Sequence, residues 1–219
     1  MLKIIIAFDD QDEDLGEYFT ACKTNIVEFL EEQQVNGFPL KIVEVIDSRR
    51  CNPVYIDLKL DALRNQPLLF IAYSHGLPQA LRCKGESYIH SSNVHLLFNA
   101  CLHTNACSSA KELGLSFVDK EGIFIGFDKP VDALVSDIND AKQVSIDCDN
   151  YGIKYSIVMR EKTILETYQA MINFYDEKIG KLDFFNASFL NDTKKALKIY
   201  GNENLNMKDY ISKFSSPSV

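Results

Sequence analysis

The stretch that decides the fold runs from Leu68 to Cys107 and reads LLFIAYSHGLPQALRCKGESYIHSSNVHLLFNACLHTNAC. It contains two short apolar runs of strand length, Leu68–Tyr73 and Val94–Phe98. Continuous apolar runs bounded by turn residues are typical of strands that are buried on both faces of a parallel sheet. The stretch therefore predicts two neighbouring parallel strands.

A reactive side chain follows each of these predicted strands. His75 comes shortly after the first strand, and Cys101 comes shortly after the second. The carboxyl ends of parallel strands meet at one edge of a sheet, where open α/β sheets place their sites, so we expect the imidazole and the thiol to lie together. A nearby imidazole raises the thiolate fraction of a cysteine. The sequence therefore predicts a catalytic pair of His75 and Cys101.

Two features beside this pair favour the same chemistry. Thr104 and Asn105, followed by 106–113, predict a capped helix whose positive end would face the sulfur of Cys101. Gly76 has no side chain, so its N–H can approach a substrate carbonyl and form an oxyanion hole with the N–H of Cys101. The expected chemistry is nucleophilic attack on a carbonyl carbon.

The motifs resemble those of the caspase-haemoglobinase fold of cysteine peptidases and are most similar to those of the CHAT proteases, bacterial relatives of caspases and separase. The shared pattern is an apolar strand ending in Ser-His-Gly and a second one ending in Asn-Ala-Cys-x-x-Thr. The resemblance covers roughly residues 1–130 at the level of element order. It implies that His75 is the general base and Cys101 the nucleophile of a cysteine endopeptidase that acts on protein or peptide substrates. It also implies a regulatory protein partner or an activating signal, in bacterial defence or programmed death.

Caspase relatives place a residue from the end of their first strand in the pocket for the substrate side chain that precedes the cut. Here the first predicted strand, Lys3–Phe8, is followed by Asp9 and Asp10, which by position and charge would favour a substrate Arg or Lys. Asp128, just past the predicted strand Gly122–Phe127, is a further candidate for the same wall. The alternative interpretation of the acidic run is that it caps the helix that follows.

Composition restricts the class of protein. The chain has 46% hydrophobic and 25% charged residues, which is ordinary for a soluble globular protein, and no apolar run is long enough to span a membrane. A net charge of −8 and the lack of a Lys/Arg cluster with interleaved aromatics argue against nucleic acid as a partner. The six cysteines lack framework spacing and the start of the chain lacks a signal peptide, so we expect free thiols in the cytoplasm. No cofactor is called for.

The remaining pattern predicts a single domain over 1–219, with an α/β core in 1–130 and a mainly helical completion in 131–219. Strands alternate with helices in the first part, which favours a mostly parallel sheet flanked by helices. Further predicted elements are a strand at Leu40–Ile46, a hairpin of Ala80–Cys83 with Ser87–His90, and helices at Leu15–Gln34, Val54–Leu63, Ile157–Ile179 and Phe189–Tyr200.

Two other interpretations of these residues remain open. His95, Cys101, His103 and Cys107 are all potential metal ligands, but their spacing resembles no common zinc pattern, so no metal is predicted. Taken singly, a histidine at a strand end or a buried free cysteine is more often structural than catalytic.

A different class of function is a non-catalytic α/β interaction module or a receiver-like signalling domain. Asp9-Asp10 after the first strand and Lys129-Pro130 after a later one resemble a phosphoacceptor receiver. The comparison fails at the third strand, which ends in Ser74-His75 where a receiver has an aspartate. A thiol-reactive peptidyl probe separates the two classes, because only a peptidase would be labelled at one cysteine.

Overall fold

In the computed structural model of the protein, residues 1–131 and 140–214 are described. The single-domain prediction also includes 132–139 and 215–219, which lie outside these ranges. The first part of the chain alternates strands and helices as predicted. The elements are β1 (Leu2–Phe8), α1 (Gly16–Val35), β2 (Leu40–Ile46), α2 (Pro53–Ala62) and β3 (Leu68–Tyr73).

A small antiparallel sheet follows β3, made of β4 (His75–Leu77), β5 (Ala80–Cys83) and β6 (Glu86–Ile89). The turn between β5 and β6 has positive φ at both central residues, +50° at Lys84 and +78° at Gly85. That backbone matches the twist of a two-residue hairpin, and a glycine adopts it without strain. The predicted hairpin is confirmed, and β4 extends it to three strands.

The rest of the chain supplies three strands and four helices within the described ranges. They are β7 (Cys101–Thr104), β8 (Ile123–Phe127), α3 (Ala141–Val158), α4 (Ile164–Ile179), α5 (Phe184–Ala196), β9 (Leu197–Gly201) and α6 (Met207–Lys213).

The central sheet has six strands in the order β2-β1-β3-β7-β8-β9. All neighbours run parallel except β9, which pairs antiparallel with β8. Successive residues of β1 face opposite cores: Ile4 and Ile6 pack in one hydrophobic cluster, and Ile5 and Ala7 in the other. The alternating residues thus bury both faces of the sheet, as in parallel sheets that helices cover. The prediction of a mostly parallel α/β sheet covered by helices is confirmed.

The predicted strand at Val94–Phe98 is wrong. Val94–Leu97 forms a 3-10 helix in which Val94 and Leu97 are buried while His95 is exposed, so burial follows one side of a helix. The strand lies instead at Cys101–Thr104, where all four residues are buried. Cys101 is therefore the first residue of the strand, and the residues that follow Thr104 lie at its carboxyl end.

Three helix predictions also need correction. The predicted helix 106–113 is a series of turns that leads into a 3-10 helix at Gly114–Phe117, so no helix of the predicted kind follows Cys101. The predicted helix Ile157–Ile179 is interrupted, because Thr163 starts α4 with a capping box. The last predicted helix, Phe189–Tyr200, ends at Ala196 and continues as β9. In the described ranges, every helix is too short or too polar to cross a membrane.

Candidate active site

Cys101 and His75 lie at opposite edges of the sheet. Cys101 begins β7 and pairs with Leu69 at the amino end of β3, whereas His75 follows the carboxyl end of β3. The strand from Leu69 to Tyr73 alone spans about 13 Å. Cys101 is 4% exposed, and burial raises the pKa of its thiol to about 12. The predicted pair of His75 with Cys101 is therefore wrong.

The same register removes Cys101 from the predicted oxyanion hole. Its backbone lies inside the sheet between β3 and β8, opposite Leu69 on one side and Ile123 on the other. A backbone N–H inside a ladder at the amino edge cannot reach a substrate at the carboxyl edge.

The cysteine at the carboxyl end of β7 is Cys107. The loop that carries it is attached to its neighbours by backbone hydrogen bonds, from Asn105 N–H to the Ala72 carbonyl at 3.2 Å and from Ser108 N–H to the Lys129 carbonyl at 3.0 Å. Ser108 has a φ of +58°, so the backbone turns sharply just after the cysteine. Left-handed backbone at a residue other than glycine costs energy and is concentrated at functional sites.

The side chain of His75 lies at the same carboxyl edge of the sheet as Cys107 and is contacted on two sides. Its Nε2 lies 2.8 Å from Asp12 Oδ2, and its ring meets the Phe19 ring edge to face with centroids 5.7 Å apart. The Asp12 carboxylate in turn accepts the N–H of Leu15 at 2.7 Å. Burial would raise the pKa of Asp12, but the hydrogen bonds from Leu15 N–H and His75 outweigh it and lower the pKa. The side chain of His75 is 44% exposed, so a ligand can reach the ring.

His75 and Cys107 line one cleft, together with Asn105, Asp149 and Leu190 among other residues. The cleft has a volume of about 40 Å³. The Val131 N–H donates a hydrogen bond to Cys107 Sγ at 3.3 Å. The structure thus brings His75 and Cys107 to the same edge of the sheet, where the sequence predicts His75 with Cys101.

Gly76 connects the histidine to the cysteine loop. A Cβ atom at Gly76 would collide with the carbonyl oxygen of Cys107 and lie 3.0 Å from the carbonyl carbon of Ala106. The backbones of β4 and of the Cys107 loop therefore touch, which only glycine permits.

Asp149, on α3, contributes a buried carboxylate to the cleft. The residue is 9% exposed, and its Oδ2 accepts hydrogen bonds from Tyr18 OH at 2.9 Å and from Asn105 Nδ2 at 3.0 Å. Burial raises the pKa of this carboxyl to about 6, against the opposing effect of the two donors.

The acidic residues predicted to bind substrate lie elsewhere. Asp9 is 1% exposed, and its two oxygens accept hydrogen bonds from Ser48 Oγ and from Lys84 N–H, each at 2.8 Å. Asp10 accepts the Ser48 N–H at 3.0 Å and is exposed, and Asp128 forms an ion pair with Lys198 at 3.2 Å.

Neither Asp9, Asp10 nor Asp128 lines the cleft of His75 and Cys107. The prediction that Asp9 forms a pocket wall is wrong, because the side chain is sealed in and connects β1 to the loops that follow β2 and β5. The acidic residue that lines this cleft is Asp149 on α3, far from the first strand in sequence.

The zinc alternative finds no support in the geometry. His103 Nε2 lies 2.9 Å from the carbonyl oxygen of Asp149. Within residues 1–131 and 140–214, no group of three or more His, Cys, Asp or Glu side chains could hold a metal ion.

A sequence signal for Cys107 does exist. The tripeptide Asn-Ala-Cys occurs twice, at 99–101 and again at 105–107, separated by Leu102-His103-Thr104. The first copy ends at Cys101, the buried first residue of β7, and the second copy follows β7. Choosing between the copies requires knowing which four residues form the strand.

Comparison with known proteins gives distant similarity to solved structures. No family model matches the sequence, and no curated protein matches it. Among solved structures, the chain is similar to the crystal structure of the Arg specific cysteine proteinase gingipain R, with a TM-score of 0.48 and 13% sequence identity. The similarity covers 94% of this chain and 47% of that chain, so this chain spans about half the length of that protein.

Proposed function

We propose that the chain is a cysteine endopeptidase in which Cys107 is the nucleophile and His75 the general base. The observation that carries the proposal is that both side chains line one cleft, at the carboxyl ends of the neighbouring strands β3 and β7. A cysteine, a histidine and a carboxylate that orients the histidine are the parts that nucleophilic catalysis requires.

The reaction proceeds through a thioester. His75 takes the proton of the Cys107 thiol, and the sulfur attacks the carbonyl carbon of the scissile peptide bond. The carbon–nitrogen bond breaks as His75 gives the proton to the leaving amine. Water then attacks the thioester with His75 again as the base, which releases the carboxylic acid and restores the thiol.

Asp12 acts as a positioning residue in this proposal. Its carboxylate lies at Nε2 of His75, so the other ring nitrogen, Nδ1, is the one that serves Cys107. A carboxylate on the far nitrogen selects the tautomer and stabilises the imidazolium that forms during the reaction.

Gly76 N–H is the oxyanion donor that we assign. In the register of β4 with β5, Gly76 pairs with Leu81, next to the Leu77–Ala80 pair that closes the turn. In a two-residue hairpin the closing pair is hydrogen-bonded and the next pair is not, so the N–H groups of that next pair point away from the partner strand. We place the substrate carbonyl in that direction, beside the Cys107 loop.

An activating step belongs to the same proposal. Ligand sites in proteins usually enclose about 300–1,000 Å³, whereas this cleft encloses about 40 Å³. A peptide substrate needs a wider opening than this, so we expect a regulatory partner or signal to raise the rate above that of the isolated chain.

The test is to identify the cysteine that reacts with a peptidyl chloromethyl ketone. The alkylated protein is digested and the modified residue is located by mass spectrometry. We expect modification of Cys107 that requires folded protein and is lost in His75→Ala. Modification spread over several cysteines, or none above that of a urea-unfolded sample, would favour the non-catalytic module instead.

A further inference from the structure

We propose that Asp149 and Asn105 form the pocket that recognises a basic side chain, Lys or Arg, of the substrate residue at the cut. The inference rests on the proposed function and adds to it the substrate class. It also replaces the recognition role that the sequence suggested for Asp9 and Asp10.

The side-chain oxygen of Asn105 accepts no hydrogen bond from any described residue. The residue is 8% exposed and lines the cleft, yet its Oδ1 has no hydrogen-bond partner among the described residues. Its amide orientation is determined by the other end, because Nδ2 donates to the Asp149 carboxylate at 3.0 Å. A buried acceptor without a donor is unfavourable, and a ligand that brings a donor removes that cost.

Asp149 adds a negative charge that no cation of the described chain neutralises. Its Oδ2 accepts two hydrogen bonds, from Tyr18 and Asn105, and no Lys, Arg or His in the described ranges forms an ion pair with it. Buried charges in proteins are normally paired. A carboxylate next to an unsatisfied amide oxygen is suited to a group that is cationic and rich in N–H donors.

The position of the Asn105 and Asp149 oxygens indicates which substrate residue they recognise. Asn105 precedes Cys107 by two residues on the same loop, and both line the same cleft as Asp149. The side chain closest to the attacked carbonyl is that of the residue before the cut. The small volume of the cleft, about 40 Å³, admits the narrow end of a Lys or Arg side chain more readily than an aromatic ring.

A purely structural role for Asp149 makes a different prediction. If the carboxylate served only to hold Tyr18 and Asn105, its neutralisation would slow all substrates equally. A recognition role predicts a selective loss for basic substrates.

The experiment compares three peptidyl chloromethyl ketones that differ only in the residue before the ketone, which is Arg, Lys or norleucine. Norleucine keeps the carbon chain of Lys without the ammonium group. The rate of Cys107 alkylation is followed by intact mass. We expect the faster basic probe to exceed norleucine by at least about tenfold, and Asp149→Asn to bring this ratio close to one.

The matched control is Asp147→Asn. Asp147 lies on α3 two residues before Asp149 and does not line the cleft. It accepts a hydrogen bond from Gln143 Nε2 at 2.8 Å and forms an ion pair with Lys178 at 3.7 Å. This variant removes the same charge and should keep the preference. Because the ratio compares two probes on one sample, it does not change if a variant is only partly folded.

The outcomes separate the inference from the function on which it rests. Equal rates for all three probes in the native protein would overturn the basic pocket and leave the peptidase assignment standing. A preference that survives Asp149→Asn would overturn the role of Asp149. Failure of every probe to alkylate Cys107 would overturn the proposed function, and this inference with it.

Discussion

At the scale of single residues, the proposed catalysis depends on how the His75 ring is held. Its ring lies between the Asp12 carboxylate and the Phe19 ring, and Asp12 is itself fixed by backbone N–H groups at the start of α1. These contacts leave one ring nitrogen for the thiol. The carboxylate is therefore expected to matter for the rate of reaction more than for substrate binding.

Asp12→Asn should lower kcat by about tenfold or more while KM changes little, because the neutral amide of Asn does not stabilise the imidazolium as the carboxylate does. Steady-state hydrolysis of a fluorogenic peptide measures both constants. The control is Asp14→Asn, in the same exposed loop, which removes the same charge. If the two variants had the same kcat, Asp12 would have no positioning role.

The chemistry of single residues also explains which parts of the candidate site can be predicted from the sequence. His75 was predicted correctly at the end of its strand because β3 is apolar throughout. The position of Cys107 just after a strand was not predicted, because the apolar run Val94–Phe98 predicts the strand there and β7 contains the polar residues His103 and Thr104. In the structure His103 bonds to the Asp149 carbonyl, and Thr104 Oγ1 accepts the Ala106 N–H at 3.0 Å. The partner of His103 lies 46 positions away, so its burial cannot be inferred from local sequence.

At the scale of elements, the contact between β4 and the Cys107 loop is the most restrictive feature of the site. A single Cβ at Gly76 would overlap the carbonyl of Cys107. Both elements are backbone at that point, so no side chain can rotate away. The site therefore tolerates no substituent there.

Gly76→Ala should reduce peptidase activity by more than about tenfold and destabilise the protein by about 1–3 kcal/mol, because the two backbones must separate. Thermal unfolding and peptide hydrolysis measure the two effects. Gly180→Ala is the control, since a Cβ there meets its neighbours no closer than 3.7 Å. Full activity in Gly76→Ala would contradict the packing described here.

The elements that sequence patterns missed are those decided by tertiary contacts. Leu197–Gly201 continues the polar and apolar pattern of α5, yet it forms β9 because the exposed edge of β8 offers it a ladder. Val94–Leu97 has the composition of a strand but is a 3-10 helix with one buried side. Short segments of this kind take the structure that their neighbours allow.

At the scale of the whole molecule, the sheet brings together residues that are far apart in sequence. The cleft combines groups from the ends of β3 and β7 with Asp149 from α3 in the carboxyl-terminal part of the chain. The sequence predicts the sheet edge but not this contribution, because 131–219 shows only the pattern of a mainly helical completion of the fold.

The buried carboxylate of Asp149 should also influence stability as a function of pH. Its pKa is about 6 in the folded protein and 3.8 in the reference state, so the folded chain binds the proton more tightly than the unfolded chain. Ionisation therefore destabilises the fold above pH 6, and this penalty is relieved as pH falls toward 4.

We therefore compare the free energy of unfolding of Asp149→Asn with that of the native protein at two pH values. The variant minus native difference should be about 2 kcal/mol larger at pH 7 than at pH 4.5. Urea unfolding of both proteins at the two pH values gives the difference. A difference between them that does not vary with pH would mean that Asp149 is not held as an uncompensated buried acid.

The central claim is that the nucleophile is Cys107, at the carboxyl edge of the sheet, and not Cys101 inside it. The most direct measurement compares peptide hydrolysis by Cys107→Ala and Cys101→Ala, each shown by circular dichroism to be folded. The account predicts no detectable turnover for Cys107→Ala and near-native turnover for Cys101→Ala. Activity that survives in Cys107→Ala, or disappears in folded Cys101→Ala, would contradict it.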